Sequence, residues 1–269
     1  MAKKPVRRPK PALRKARSRT DHIGIIGLAT MGPALALNFA SHGIHVVGWD
    51  YDPRLTHAFE NRLRPKSGVH LVYQLSELVQ LLPKPRTILL MIRSGPPVDS
   101  VLTQLYSLLD TGDIVIDGGN SDFKDTERRV TEAGSRGVLY VGCGVSGGEK
   151  GALTGPSLMP GGNPEAWPRI KPLLEAVAAR GSNGKPCCCW IGPGGAGHFV
   201  KTVHNGMEYG MMQVIAEDYD IMRRGLGMTP AEIAQVFEKW NKGRVGSYLL
   251  ELSAKILHLK DPEKDRPMI

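Results

Sequence analysis

The sequence lacks the features of a membrane protein, a secreted protein and a metalloprotein. No uninterrupted apolar run approaches the roughly 18–20 residues needed to cross a bilayer, which excludes a transmembrane helix, and the N-terminus has no apolar signal segment. The four cysteines, Cys143 and the run 187–189, contain no C-x-x-C pair, and adjacent cysteines on an extended segment point to opposite faces. We therefore expect no metal site, free thiols and a cytoplasmic protein.

Excess positive charge is confined to one end of the chain. Nine of the 35 basic residues lie within the first 19 positions, where no acidic residue occurs, and the other 26 match the 26 acidic residues. The net charge of +9 therefore belongs to a proline-rich arm, residues 1–20, which we expect to be solvated and disordered. A polyanion-binding arm and an organelle transit peptide are the alternatives. Outside the arm, a chain with 6% aromatic residues shows no base-stacking surface for nucleic acid.

From residue 21 onward, short apolar runs alternate with segments of helical periodicity, which is the pattern of an α/β fold. The apolar runs predict strands near 22–26, 44–50, 87–92, 113–117, 138–142 and 188–191. The periodic segments predict helices near 31–42, 97–109, 124–136 and 163–179, with a glycine-rich loop over 142–162. After Gly195 the alternation stops, and three helices are predicted near 196–224, 230–241 and 245–259.

The first glycine-rich turn has the form of a dinucleotide-binding fingerprint. It follows a predicted strand, opens a helix and reads G-x-A-x-x-G over Gly27, Leu28, Ala29, Thr30, Met31 and Gly32. Gly27 makes the turn, Ala29 is small enough for a pyrophosphate to approach the backbone, and Gly32 lets the helix pack on the strand. A second strand ends at Asp50, 23 positions after Gly27, where a carboxylate is expected to hold the ribose hydroxyls.

The residues after the second strand bear on the choice of cofactor. Asp50, Tyr51 and Asp52 place two carboxylates where a 2′-phosphate needs a cation. Arg54 is close, but it would have to offset both carboxylates. We therefore expect a nicotinamide dinucleotide site that prefers NAD to NADP.

Together, the alternation and the fingerprint predict a Rossmann-type doubly wound sheet over residues 21–194. The helical segments that follow predict the start of an all-α domain over residues 195–269. No internal repeat is present.

One loop and one helix carry further polar residues. The segment Asp117–Ser121 (DGGNS) follows a predicted strand, at the end where α/β sheets place ligands. On the long helix after Gly195, spacings of three, four and seven put Lys201, His204, Asn205 and Glu208 on one face. Lys201 and Glu208 are two turns apart, roughly 10 Å along the axis, which suits two proton-transfer groups that flank one small sugar acid.

These segments resemble those of the 6-phosphogluconate dehydrogenase family of decarboxylating β-hydroxyacid dehydrogenases. The resemblance runs from about His22 to Ile269 and is carried by DGGNS at 117–121, GVSGGE at 144–149, GPSLMPGG at 155–162, GAGHFVK at 195–201 and VHNGMEYG at 203–210. It implies oxidative decarboxylation of 6-phospho-D-gluconate to D-ribulose 5-phosphate and CO₂, with reduction of NAD or NADP, in the pentose phosphate pathway. It also implies a homodimer for the complete protein.

The resemblance further implies roles for individual residues. Lys201 resembles the base that takes the proton of the C3 hydroxyl, and Glu208 resembles the acid that protonates C1 after CO₂ has left. No metal is implied, because the ketone beside the carboxylate accepts the electron pair. The residues that resemble substrate ligands are Asn120, Ser146, Gly147, Gly148, His204 and Asn205, with Tyr209 at the phosphate end and Asn120 also beside the cofactor.

The chain departs from the family pattern in two places. Where the family typically has Asn-Arg-Ser or Asn-Arg-Thr around the 2′-phosphate of NADP, its usual cofactor, this chain has residues 50–52 (DYD), which supports the NAD preference. The chain also stops at Ile269, before a Gln-Lys-Gly-Thr motif, a later arginine and a tail that completes the site of the partner subunit. Without such cationic contacts, each worth about 1.5–3 kcal/mol, we expect weak binding of a phosphorylated substrate.

Two other functions stay open at this point. The first is a dehydrogenase of a smaller, unphosphorylated 3-hydroxy acid, against which Glu149 and the segment 155–157 (GPS) argue. The second is a truncated, catalytically silent dinucleotide-binding protein, which the basic arm would localise to a polyanion.

Overall fold

A computed structural model describes residues 22–261 and residue 263 of the chain. The basic arm predicted for residues 1–20 lies outside the described residues. The chain divides into two compact units, Met1–Lys201 and Thr202–Ile269.

The first unit is built on one eight-stranded sheet. Its strands are β1 (His22–Ile26), β2 (His45–Trp49), β3 (Val69–Leu71), β4 (Thr87–Leu90), β5 (Ile114–Asp117), β6 (Leu139–Ser146), β7 (Ser157–Gly162) and β8 (Gly192–Pro193). They lie in the order β3-β2-β1-β4-β5-β6-β7-β8, and every neighbouring pair is parallel except β6 and β7. The order reverses direction between β1 and β4, so the predicted doubly wound Rossmann sheet is confirmed.

Helices cover both faces of this sheet. They are α1 (Met31–Ser41), α2 (Pro53–Glu60), α3 (Leu75–Leu81), α4 (Pro96–Tyr106), α5 (Phe123–Ser135), α6 (Gly148–Thr154) and α7 (Trp167–Val177). One apolar core contains Leu35 of α1 and Ile170 of α7. The other contains Leu78 of α3 and Leu102 of α4. Each strand of the sheet centre is therefore buried from two sides, which is why β4 and β5 are apolar along their length rather than alternating.

A buried asparagine ties three helices together on one face of the sheet. The Asn38 amide of α1 donates to the carbonyls of Ala152 (2.9 Å) and Val177 (3.1 Å), which lie in α6 and at the end of α7. These two bonds replace the hydrogen bonds that the amide group would make with water. The Asn38 side chain is therefore buried without an unsatisfied donor.

The second unit is helical. It comprises most of α8 (Ala196–Asp220), a π-helical turn (Ile221–Gly225), α9 (Pro230–Asn241) and α10 (Tyr248–Leu257). A reciprocal capping box between Thr229 and Glu232 starts α9. In the core of the second unit, Phe237 of α9 packs against α10. Met207 and Val214 of α8 are exposed. The helical character predicted after Gly195 is thus confirmed.

The structure corrects the sequence interpretation in three segments. The elements α2, β3 and α3 occupy 53–81, where the sequence pattern predicts no helix or strand. The predicted loop over 142–162 is instead the end of β6, the helix α6 and the strand β7. The strand predicted near 188–191 is replaced by the two-residue β8 at 192–193. In the second case the glycines suggest turns when they are read locally, but inside β6 and β7 they mark the close approach of another element.

We expect Gly32 to be intolerant of any side chain. A Cβ at Gly32 would overlap the carbonyl oxygen of Gly27, whereas a Cβ at Gly134 in α5 meets open space. Gly32→Ala should therefore lower the free energy of unfolding by about 1–3 kcal/mol. Gly134→Ala should raise it by up to about 1 kcal/mol, because alanine favours the helix. Urea unfolding of both variants tests this, and similar midpoints for the two would contradict it.

Candidate dinucleotide and catalytic site

The predicted site residues of the first unit gather along one edge of the sheet. The turns that follow β1, β2 and β5 and the end of β6 all lie where the parallel strands present their carboxyl ends. This edge, at the reversal of strand order, is where doubly wound sheets bind ligands. The residues that the structure brings to it are Gly27, Leu28, Ala29, Thr30, Met31, Gly32, Asp50, Tyr51, Asp52, Asn120, Ser146, Gly147 and Gly148.

The turn after β1 fits a dinucleotide pyrophosphate. Gly27 has φ of 102°, a left-handed conformation that favours glycine, and a Cβ there would overlap the carbonyl oxygen of Met91. Ala29 and Thr30 are exposed at the start of α1, whose first turn contains no acidic residue. The helix therefore presents free backbone N–H groups and the positive end of its dipole to a phosphate.

The turn after β2 is held by the carboxylate of Asp50. Its Oδ2 accepts a hydrogen bond from the Leu28 amide (2.6 Å), and its Oδ1 accepts one from the Asp52 amide (2.8 Å). Asp50 thus ties the glycine turn to the end of β2, a positioning role that the sequence did not indicate. Each oxygen has a second lone pair, so a ribose hydroxyl can still donate to this carboxylate.

The turn after β5 is held by a second carboxylate, that of Asp117, which is fully buried. Asp117 Oδ1 accepts from the Gly119 amide (3.0 Å), and Oδ2 accepts from the Ser121 hydroxyl (2.6 Å) and the Tyr140 hydroxyl (2.9 Å). The guanidinium of Arg129, also fully buried, lies 3.9 Å from Oδ2. These contacts fix the turn that carries the exposed Asn120.

Arg129 and Tyr140 have the protonation states that this arrangement needs. Burial tends to lower the pKa of Arg129, but its hydrogen bonds to Asp99 (2.8 and 3.0 Å) and the nearby negative charges raise it above its ordinary value. Burial, followed by the charge of Asp117, raises the pKa of Tyr140 well above 10. Arg129 is therefore a cation and Tyr140 a hydroxyl donor across the physiological pH range.

His198, in the first turn of α8, joins this turn to the helix that carries Lys201. Its Nε2 lies 3.1 Å from the carbonyl oxygen of Asp117, and its Nδ1 lies 2.6 Å from the hydroxyl of Thr126. Because a carbonyl only accepts, we assign the proton to Nε2, and Nδ1 of the neutral ring then accepts from Thr126. Burial lowers the pKa of His198 below its ordinary value, which keeps the ring neutral.

Two glycines of β6 form the surface on which α8 begins. A Cβ at Gly142 would lie 2.7 Å from Nδ1 of His198, and a Cβ at Gly144 would lie 2.6 Å from Cβ of Lys201. Residues 142 and 144 point to the same face of the strand, as do residues 198 and 201 on the helix. The helix therefore packs directly on the strand backbone, and Lys201 is buried, with 7% of its surface exposed.

The remaining predicted residues belong to the second unit. His204 Nδ1 lies 3.2 Å from Oδ1 of Asn205 and 3.8 Å from Oε2 of Glu208, one helical turn further on. Tyr209 is exposed. His204 and Glu208 thus share one side of α8, as their spacing predicts.

Within the described residues, no group of three or more histidine, cysteine, aspartate or glutamate side chains could hold a metal ion. Across the same residues, no helix combines the length and apolar character needed to cross a membrane. The four cysteines are free thiols.

Sequence reasoning missed the residues that support the site: Arg129, Tyr140, Thr126 and the bonding role of His198. Three of them reach Asp117 from 12 to 81 positions away, and the fourth, Thr126, reaches it only through His198. The sequence does show these polar residues within otherwise amphipathic segments. It does not show which distant residues they bond to.

We expect His198 to make the stability of the protein depend on pH. Its pKa is lowered in the folded state, so as the pH falls below about 6.5 the unfolded chain binds a proton that the folded chain does not. The free energy of unfolding should therefore fall more steeply in the wild type than in His198→Asn between about pH 8 and 5.5. Urea unfolding across this range measures the difference, and parallel curves would show that His198 does not contribute.

Family models and known proteins match this chain over most of its length. Residues 22–192 match the model of the NAD binding domain of 6-phosphogluconate dehydrogenase, and residues 197–269 match that of the 6-phosphogluconate dehydrogenase C-terminal domain. The decarboxylating 6-phosphogluconate dehydrogenase of Schizosaccharomyces pombe is 51% identical over 247 residues, which cover 91% of this chain and 50% of that protein. The NAD(+)-dependent enzyme of Bacillus subtilis is 48% identical over 249 residues, which cover 93% of this chain and 53% of that protein.

A solved structure shows the same fold. That of Plasmodium falciparum 6-phosphogluconate dehydrogenase superposes with a TM-score of 0.85 at 40% identity, covering 92% of this chain and 53% of that one. The chain spans about half the length of the curated relatives that it matches. With both family models matched and the glycine turn, the Asp117 turn and α8 in place, the chain belongs to the 6-phosphogluconate dehydrogenase family.

Proposed function

We propose that the protein oxidises and decarboxylates 6-phospho-D-gluconate to D-ribulose 5-phosphate and CO₂, with reduction of NAD or NADP. The observation that carries this proposal is the burial of Lys201 on the face of β6 that Gly142 and Gly144 form, which we call the glycine strip. A lysine in that place is held by packing on a strand backbone, which is how a proton-transfer group is kept in a fixed position.

The proton transfers of the proposed reaction are assigned to Lys201 and Glu208. Lys201 accepts the proton of the C3 hydroxyl, and Asn120 and Ser146 donate to or accept from the substrate's oxygens. The turn after β1 and Asp50 would hold the nicotinamide dinucleotide, which would supply the acceptor for the hydride of C3. The 3-keto acid then loses CO₂, because the new carbonyl takes up the electron pair, and Glu208 delivers a proton to C1 of the enediol.

Substrate binding is assigned to backbone and side-chain donors. Gly147 and Gly148 are exposed at the start of α6, where backbone N–H groups are available to a carboxylate. His204 and Asn205 are proposed to bind hydroxyls or the carboxylate, and Tyr209 the phosphate end. The similar proteins are 6-phosphogluconate dehydrogenases, which supports this substrate over a smaller 3-hydroxy acid. Solved 3-hydroxyisobutyrate dehydrogenases share only the fold, at 22–24% identity.

We also propose a cytoplasmic homodimer for the complete protein. The exposed apolar side chains of α8, among them Met207, Met211 and Val214, support an interface that covers this helix. Free thiols support a reducing compartment.

Replacement of Lys201 tests the proposed reaction. In the protein expressed from its complete gene, Lys201→Met should lower the rate of NADH formation from 6-phosphogluconate by a factor of about 10² to 10⁴ while leaving NADH binding unchanged. Lys171→Met, which alters a half-exposed lysine of α7, serves as the matched control and should retain full activity. Substantial residual turnover by Lys201→Met would remove Lys201 from the role of base. Turnover of an unphosphorylated 3-hydroxy acid by the wild type, with none of 6-phosphogluconate, would reassign the substrate.

A second test concerns the cofactor. The DYD segment at 50–52 places two carboxylates beside the expected ribose position, so kcat/KM with NAD should exceed that with NADP. Steady-state kinetics with each cofactor at saturating 6-phosphogluconate decide the matter, and a clear advantage for NADP would overturn the preference.

A further inference from the structure

The turn after β2 contains a cation that is already engaged. The Asp52 carboxylate accepts from the side chain of Arg54 in a forked arrangement, with Nε at 3.0 and 3.2 Å and Nη2 at 2.8 Å. Asp52 Oδ1 also accepts from the Arg54 amide at 3.0 Å, which caps α2. The pair is at the surface, where 90% of the Arg54 side chain and 31% of the Asp52 side chain are exposed.

This pair is continuous with the expected ribose position. The amide of Asp52 donates to Asp50 Oδ1, whose other oxygen is bonded to the glycine turn through Leu28. Asp50, Asp52 and Arg54 therefore form one hydrogen-bonded series within five residues. The hydrogen bonds to Arg54 lower the pKa of Asp52, and those to Asp52 raise the pKa of Arg54. Both groups are charged at neutral pH.

The charges of this turn distinguish a hydroxyl from a phosphate. Two carboxylates and one guanidinium leave the turn with one net negative charge. A ribose 2′-hydroxyl can donate to the remaining lone pairs of Asp50, whereas a phosphate ester brings about −1.5 to −2 charge and only accepts. The one side chain among these three that could bind the phosphate is already neutralised by Asp52.

We propose that Asp52 determines the choice of dinucleotide by holding Arg54 in this pair, and that Arg54 is a latent binding group for a 2′-phosphate. The inference rests on the proposed dinucleotide site and adds the residue that sets its specificity. Asp52 acts through Arg54, so it is a positioning residue, and removal of its charge should free Arg54 to bind the phosphate.

Asp52→Asn removes the negative charge that holds Arg54 without removing the cap of α2. Asparagine caps helices as well as aspartate does, so it can keep the bond from the Arg54 amide and with it the start of α2. The matched control is Glu60→Gln, which removes the same charge from the other end of the same helix, eight residues or about 12 Å away. Asp52→Asn/Arg54→Gln removes both partners.

The measurement is the dissociation constant of NADH and of NADPH for each variant. Binding is detected by energy transfer from tryptophan to the reduced nicotinamide. We expect Asp52→Asn to lower the ratio of the NADPH constant to the NADH constant about tenfold, which is the scale of one charge-assisted hydrogen bond at an exposed site. The double variant should lose this gain, and Glu60→Gln should leave the ratio unchanged. The gain should also shrink as salt rises, because the Debye length falls to about 8 Å at 0.15 M.

Two kinds of failure are distinguishable. If the wild type binds NADH but the ratio is the same in Asp52→Asn, or the double variant keeps the gain, then Asp52 does not restrain Arg54 and this inference is wrong while the dinucleotide site stands. If the folded wild type binds neither NADH nor NADPH, the proposed dinucleotide site is wrong and the inference falls with it.

Discussion

The buried carboxylate of Asp117 is the constraint around which the first unit is arranged. Removal of a charge from water costs several kcal/mol unless hydrogen bonds and an opposite charge compensate for it. Here the compensation comes from the Gly119 amide, the Ser121 and Tyr140 hydroxyls and the guanidinium of Arg129. These groups belong to the turn after β5, to β6 and to α5. One electrostatic requirement therefore fixes the relative positions of three elements, and the exposed amide of Asn120 with them.

The parts of the fold that the sequence predicts are those in which periodicity and local chemistry agree. The turn Gly27–Gly32 follows an apolar strand and opens a helix with a buried face, so pattern and motif point to the same unit. The strands β4 and β5 are uninterrupted apolar runs, as buried parallel strands are expected to be. The roles proposed for Lys201 and Glu208 come from the family resemblance, because no periodicity could assign them.

The parts that the sequence did not predict depend on contacts between distant residues. Only three residues long, β3 is at most half-buried, so it carries no clear alternation. Glycines at 142 and 144 suggest a loop when read locally, and they are explained only by the arrival of His198 and Lys201 on the same face of β6. Likewise, Asp50 has the expected place for a ribose ligand, but its bonds to the glycine turn depend on backbone geometry that no motif encodes.

The glycine strip of β6 also sets an order of events during synthesis. A chain grows from its N-terminus at about 5–20 residues per second, so residues 142 and 198 leave a ribosome roughly 3–11 s apart. During that interval β6 has no side chains of its own to cover this part of its face, and the carbonyl of Asp117 has no imidazole partner. The first turn of α8 closes the unit when it arrives. The base proposed for catalysis is thus among the last residues of the first unit to be packed, and a nascent chain cannot hold it in place before the sheet beneath it exists.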